Sequence, residues 1–138
     1  MNNAHSSFVG TDGTWVEVLK APEQSWSVRP ALFLDRDGTI VEEVLYLHRP
    51  EEMALIRGAA DTIIAANTKN IPVIIVTNQA GIGRGYYGWD DFIAVQACMM
   101  EELNGLGAQI DAVFACPFHV NGKGPFIHPD HPDRKPNA

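Results

Sequence analysis

From residue 31 onward the chain alternates short, unbroken apolar runs with longer stretches whose apolar residues recur at helical spacing. Residues 31–34 are continuously apolar, which predicts a strand buried on both faces of a parallel sheet. Residues 58–70 carry Ala60, Ile63 and Ile64 at helical spacing, and Asn70-Ile71-Pro72 stops that helix. Residues 72–76 are β-branched and uncharged, a second strand, and residues 80–88 follow as a glycine-rich loop. Asp90 or Asp91 then caps a helix whose apolar face holds Phe92, Val95, Met99 and Leu103. Gly105 and Gly107 end it, residues 110–115 make a third strand, and the Pro-, Gly- and His-rich remainder reads as loop. Strands alternating with helices imply an α/β fold, a three-layer Rossmann-like parallel sheet with chemistry at the strands' carboxyl ends. Residues 1–30 read as an N-terminal extension with a β-like run at 15–19, leaving 31–138 as the core.

Composition narrows the function classes. A chain of 138 residues, 46% apolar and 20% charged, suits one globular domain. No stretch approaches the roughly 20 apolar residues that cross a bilayer. Residues 1–5 lack the basic patch and apolar run of a secretory signal, and two cysteines suit a reducing cytoplasm. Seventeen acids against ten bases, a net charge of −7, argue against nucleic-acid or anionic-membrane partners.

Residues 33–39, Phe-Leu-Asp-Arg-Asp-Gly-Thr, are the most informative. Strand alternation directs Asp35 and Asp37 to one side and Arg36 away, and Gly38 allows a sharp turn. Asp-x-Asp alone is an ordinary turn; the apolar strand before it and Gly-Thr after it favour a site. The second strand ends in Thr77-Asn78, by itself an unremarkable strand exit, and Arg134-Lys135-Pro136 by itself is a solvated basic pair. In combination, an acid pair, a hydroxyl and a cation, each following a successive strand, suit phosphoryl transfer to a carboxylate.

These residues resemble the haloacid dehalogenase (HAD) superfamily of phosphatases. The nearer resemblance is to its subfamily IIIA branch, which holds heptose bisphosphate phosphatases and histidinol phosphatases. It rests on Phe-Leu-Asp-Arg-Asp-Gly-Thr at 33–39, Val-Thr-Asn-Gln-Ala-Gly-Ile-Gly-Arg-Gly-Tyr-Tyr at 76–87, Cys-Pro at 116–117 and Arg-Lys-Pro-Asn at 134–137. The resemblance implies that Asp35 attacks the phosphoryl group and that Asp37 protonates the leaving oxygen and then activates water. Thr77 would bind a phosphoryl oxygen and Lys135 would hold the nucleophile. Mg²⁺ would sit on the Asp35 carboxylate and the Asp37 carbonyl, offsetting charge repulsion at the phosphate. Asn78, Arg84 and Arg134 are candidate substrate contacts, guanidinium groups being suited to phosphate forks. Tyr46 and His48 fall where the branch carries a short flap, and surface packing explains them equally well. The implied substrate is a small phosphorylated metabolite, D-glycero-D-manno-heptose 1,7-bisphosphate first.

Three features complicate this reading. Residues 83–88 fit G-x-G-x-x-G, but Thr77 to Ile82 separate them from the strand, so nicotinamide or flavin binding is disfavoured and the glycines are expected to let the loop approach a phosphate. Members of the branch carry a structural zinc on Cys-x-His and Cys-x-Cys. Here Cys116, His119, His131 and either His128 or Asp133 could form such a site, or the loop is proline-stiffened without metal. The family's fourth motif, a later strand followed by acids, has no counterpart before Ala138. That leaves residues 31–34 as an apolar edge, for residues 14–19 or a second copy to cover, and predicts little phosphatase activity for the 138-residue chain. A catalytically silent, ligand-binding HAD-like domain is the competing reading.

Overall fold

A computed structural model of the chain describes residues 8–20 and 28–137. Four strands form one sheet, β1 (Trp15–Val18), β2 (Leu32–Leu34), β3 (Val73–Asn78) and β4 (Ala112–Cys116), in the order β1-β4-β3-β2. β2, β3 and β4 are parallel, as the alternation of elements implied, with Leu32 opposite Val73 and Ile74 opposite Ala112. Helix α1 (Ala59–Thr68) links β2 to β3; a single turn, α2 (Ala80–Gly83), and then α3 (Trp89–Gly105) link β3 to β4.

Local sequence explains each element. Val73, Ile75 and Thr77 of β3 are buried while Ile74, Val76 and Asn78 are half-buried, so the two faces of the central strand are unequally covered. Gly58 enters α1 from a left-handed conformation (φ 86°), a region that costs glycine little. α3 begins at Trp89, ahead of both expected caps; Asp91 instead reaches back to accept the Gly88 N–H at 3.0 Å. Its anticipated face, Phe92, Val95, Met99 and Leu103, is fully buried, and Gly107 (φ 88°) lies just past its end.

Three expectations change. Residues 15–18 are a strand of the sheet itself, antiparallel to β4, and Trp15 is 2% exposed within the core, stacked on Trp89 and edge-on to Phe92. They occupy the edge opposite β2, so residues 14–19 do not cover the β2 edge. β2 is not buried on both faces either: Phe33 is 63% exposed, so no described element covers the face it occupies. Finally, the glycine-rich segment starts as helix, with Gly81 against the Tyr87 ring and Gly83 against the Pro117 carbonyl; a Cβ at either position would collide. Gly83, the first glycine of the 83–88 run, is thus taken up by packing against Pro117. No helix among the described residues is long and apolar enough to cross a membrane.

Trp15→Ala is expected to cost about 3–5 kcal/mol, the range for deleting a buried large aromatic, measured by urea unfolding. A dispensable extension would instead lose no more than about 0.5 kcal/mol.

Candidate active site

Asp35 follows β2 directly. Its Oδ1 accepts the Arg36 main-chain N–H at 2.8 Å and pairs with the Lys135 Nζ at 2.9 Å. The carboxylate and ammonium, brought together from opposite ends of the core, are 45% and 33% exposed, so water and salt screen the pair. Beyond Asp35 the chain turns sharply. Thr39, Ile40 and Val41 all donate N–H groups to the Arg36 carbonyl, and Gly38 takes φ 79°.

This turn overrides strand alternation at Arg36. Rather than pointing away, its side chain is 1% exposed and forks onto Asp37, Nε to Oδ2 at 3.1 Å and Nη2 to Oδ1 at 3.0 Å. The guanidinium also lies over the Phe92 ring, 5.5 Å from its centroid. Asp37 accepts a third bond from Gln79 Nε2 at 3.1 Å, and the same nitrogen donates to Thr77 Oγ1 at 2.9 Å. Gln79 Oε1 in turn accepts from the Tyr87 hydroxyl. Burial, the largest influence, pushes the Tyr87 phenol far above its ordinary range, with Arg36 pulling the other way and Asp37 adding to the rise. Tyr87 is therefore a neutral donor at any physiological pH.

Asp37 and Thr77 are thus joined through Gln79, while Asp35 and Lys135 are joined directly. Asn78 links the two groups. Its amide clasps the Lys135 main chain, Nδ2 to the carbonyl at 3.1 Å and Oδ1 from the N–H at 3.0 Å, so it holds the lysine loop. Arg134 donates to the Phe118 carbonyl at 3.2 Å. Arg84 donates to the Tyr46 hydroxyl at 3.0 Å and lies 5.1 Å over the Tyr86 ring. Tyr46 and His48 pin the segment after the first motif onto residues 86–87: Tyr46 meets Tyr86 edge-on, and His48 stacks on Tyr87 at 5.6 Å.

Gln79, Tyr87 and the Arg36 fork escaped the sequence reading. Gln79 had a usable signal, because it lies two residues beyond Thr77 at the strand exit. The Arg36 fork had none, since it depends on the turn.

The proposed zinc ligands do not assemble. Among the described residues no group of three or more His, Cys, Asp or Glu is placed to hold a metal ion. His119, His128 and His131 each accept, at Nδ1, the main-chain N–H two residues onward, at 3.0, 3.0 and 3.1 Å. A neutral ring accepting at Nδ1 carries its proton on Nε2, which leaves no nitrogen lone pair for a metal. His131 also lies flat on Phe118 at 3.8 Å. The loop is held by rings and turns instead.

Comparison with known proteins places this geometry. No family model matches the chain. A curated relative from Mesorhizobium japonicum, named D-glycero-beta-D-manno-heptose-1,7-bisphosphate 7-phosphatase, is 50% identical over 108 residues, covering 78% of this chain and 50% of the relative. One of the same name from Pasteurella multocida is 34% identical, covering 79% and 59%. A crystal structure from Mesorhizobium loti, described as HAD-like phosphatase, superposes with TM-score 0.88 at 44% identity, covering 94% of this chain and 62% of that one. The chain is a homologue of the HAD-like phosphatases. D,D-heptose 1,7-bisphosphate phosphatase from B. bronchiseptica, solved with magnesium and phosphate, matches with TM-score 0.61 at 28% identity over 64% of this chain and 50% of its own. The chain spans about half the length of the curated relatives it matches.

Asn78→Ala removes both bonds to Lys135 and is expected to lower stability by about 1–3 kcal/mol. Hydrogen exchange at the Lys135 amide should accelerate selectively; an unchanged rate there would refute the clasp.

Proposed function

We propose that this chain carries the nucleophile, acid–base and charge-neutralising groups of a Mg²⁺-dependent phosphatase. Its substrate is a small phosphorylated sugar, D-glycero-D-manno-heptose 1,7-bisphosphate being the leading choice. The observation that carries this reading is the 2.9 Å contact of Asp35 with Lys135 at the carboxyl end of the parallel sheet. A carboxylate paired with an ammonium at that rim suits attack on an anion, because the cation reduces the repulsion between nucleophile and phosphate.

In the forward step an Asp35 oxygen forms the new P–O bond as the bond from phosphorus to the sugar oxygen breaks. Asp37 gives that leaving oxygen its proton. Asp37 then takes a proton from water, whose oxygen attacks phosphorus and releases Asp35. Thr77 donates to a phosphoryl oxygen and Lys135 balances its charge. Arg134 and Arg84, the latter with Tyr46 alongside, are suited to the rest of the substrate.

The donor set at the turn fits a hard cation. Among the described residues, Asp35 Oδ2 and the Asp37 carbonyl accept no hydrogen bond, and Mg²⁺ favours oxygen ligands of this kind. When bound, the ion supplies charge neutralisation at the phosphoryl oxygens. The relative solved with magnesium and phosphate supports this assignment.

The test is chemical trapping. With Mg²⁺ and the heptose bisphosphate, acid quenching followed by borohydride should convert the phosphorylated side chain at position 35 to homoserine, read by peptide mass. Asp35→Asn and omission of Mg²⁺ should each abolish the product. Phosphate release that survives Asp35→Asn would end the proposal.

A further inference from the structure

Gln79 is 2% exposed, and its amide is bonded on both sides. Nε2 donates to Asp37 Oδ2 and Thr77 Oγ1; Oε1 accepts from the Tyr87 hydroxyl and, at 3.4 Å, from Arg36 Nη2. The opposite amide orientation would set oxygen against carboxylate and NH₂ against two donors, so these neighbours leave one arrangement.

That arrangement sets the direction of a proton. Because the Thr77 oxygen receives an N–H from Gln79, its own hydrogen must point elsewhere. Among the described residues its one other partner, the Asn78 carbonyl at 3.5 Å, is at the limit of a hydrogen bond. The hydroxyl is thereby turned into a donor for an incoming oxyanion. On Asp37, the Gln79 bond fixes the same oxygen that Arg36 Nε contacts. Tyr87 is itself pinned, with its ring against Gly81 and under His48.

We propose that Tyr87 and Gln79 form a buried positioning relay, in which the Tyr87 hydroxyl locks the Gln79 amide so that it orients the Asp37 carboxylate and the Thr77 hydroxyl together. Tyr87 touches none of the catalytic groups, and Gln79 touches only the Asp37 carboxylate and the Thr77 hydroxyl that it orients. Their catalytic consequence rests on the phosphatase reading; the lock itself does not.

Tyr87→Phe keeps the ring and deletes only the hydroxyl. In the ¹⁵N-labelled chain, the Gln79 side-chain amide is expected to exchange slowly beside that of the exposed Gln109, and about tenfold faster in Tyr87→Phe, with backbone resonances retained. In phosphate-release assays the same variant should lose about tenfold in kcat at unchanged KM, one good hydrogen bond's worth. Gln79→Glu places a carboxylate against Asp37, Tyr87 and Arg36. The amide donor to Asp37 and Thr77 is then lost, so kcat should fall further than in Tyr87→Phe, again at unchanged KM. Unchanged amide exchange, a KM-only effect, or a Gln79→Glu variant with wild-type kcat would each overturn the relay. Single-turnover trapping at Asp35, which slow steady-state release does not prevent, decides the phosphatase reading: a wild-type chain that does not trap would sink it and the catalytic role with it, while amide exchange still decides the lock.

Discussion

The end of β3 is the constraint on which the candidate site depends. β3 is paired with β2 as far as Ile75 and with β4 through Asn78, so its terminus is held along the β4 edge. Three successive side chains leave that terminus. Thr77 and Gln79 turn toward Asp37, and Asn78 turns toward Lys135. The acid pair from the first turn and the cation from the last loop are therefore both referenced to one strand end. A parallel sheet achieves this economically, because all its carboxyl ends share a rim.

The lysine loop needs more than Asn78, and part of its support comes from the chain's beginning. Thr14, 5% exposed, donates its hydroxyl to Asp133 Oδ2 at 2.9 Å, two residues before Lys135. The next residue, Trp15, is anchored in the core by Trp89 and Phe92. Phe92 also lies beneath the Arg36 guanidinium. The segment before the core thus reaches the site twice, once through Asp133 and once through Phe92. The described part of residues 1–30 thus packs onto the core rather than standing apart from it.

The legible parts of this protein were those governed by repetition. The α3 face, the order of strands and helices, and the placement of Asp35 and Lys135 after successive strands follow from periodicity and from motif order. The illegible parts were those where a turn or a ring replaced periodicity. Arg36 was assigned to the wrong side because alternation holds only while the chain stays extended, and three amides gathered on its carbonyl bend it immediately. The histidines of the last loop look like ligands in sequence, yet each ring bonds its own turn. The segment from residue 80 reads as a glycine-rich loop, whereas it opens as a helical turn in which the missing Cβ atoms of Gly81 and Gly83 make room for Tyr87 and Pro117. β1 was visible as a strand, but nothing in residues 15–19 specifies which edge it joins.

The Arg36 fork also bears on why the site is built from buried polar groups at all. Its Nη1 is buried and, among the described residues, has no partner. An unpaired buried donor costs about 1–3 kcal/mol, and an apolar side chain of similar size over Phe92 would avoid that cost. Packing alone therefore does not favour arginine at position 36. What an apolar residue could not do is grip both oxygens of the neighbouring carboxylate in a planar fork. Together with Gln79, that grip leaves Asp37 one rotamer and removes the freedom an exposed aspartate would have to satisfy itself elsewhere. The stability given up in the interior is matched by a carboxylate whose position is decided before any ligand arrives, the condition that pre-organised chemistry requires.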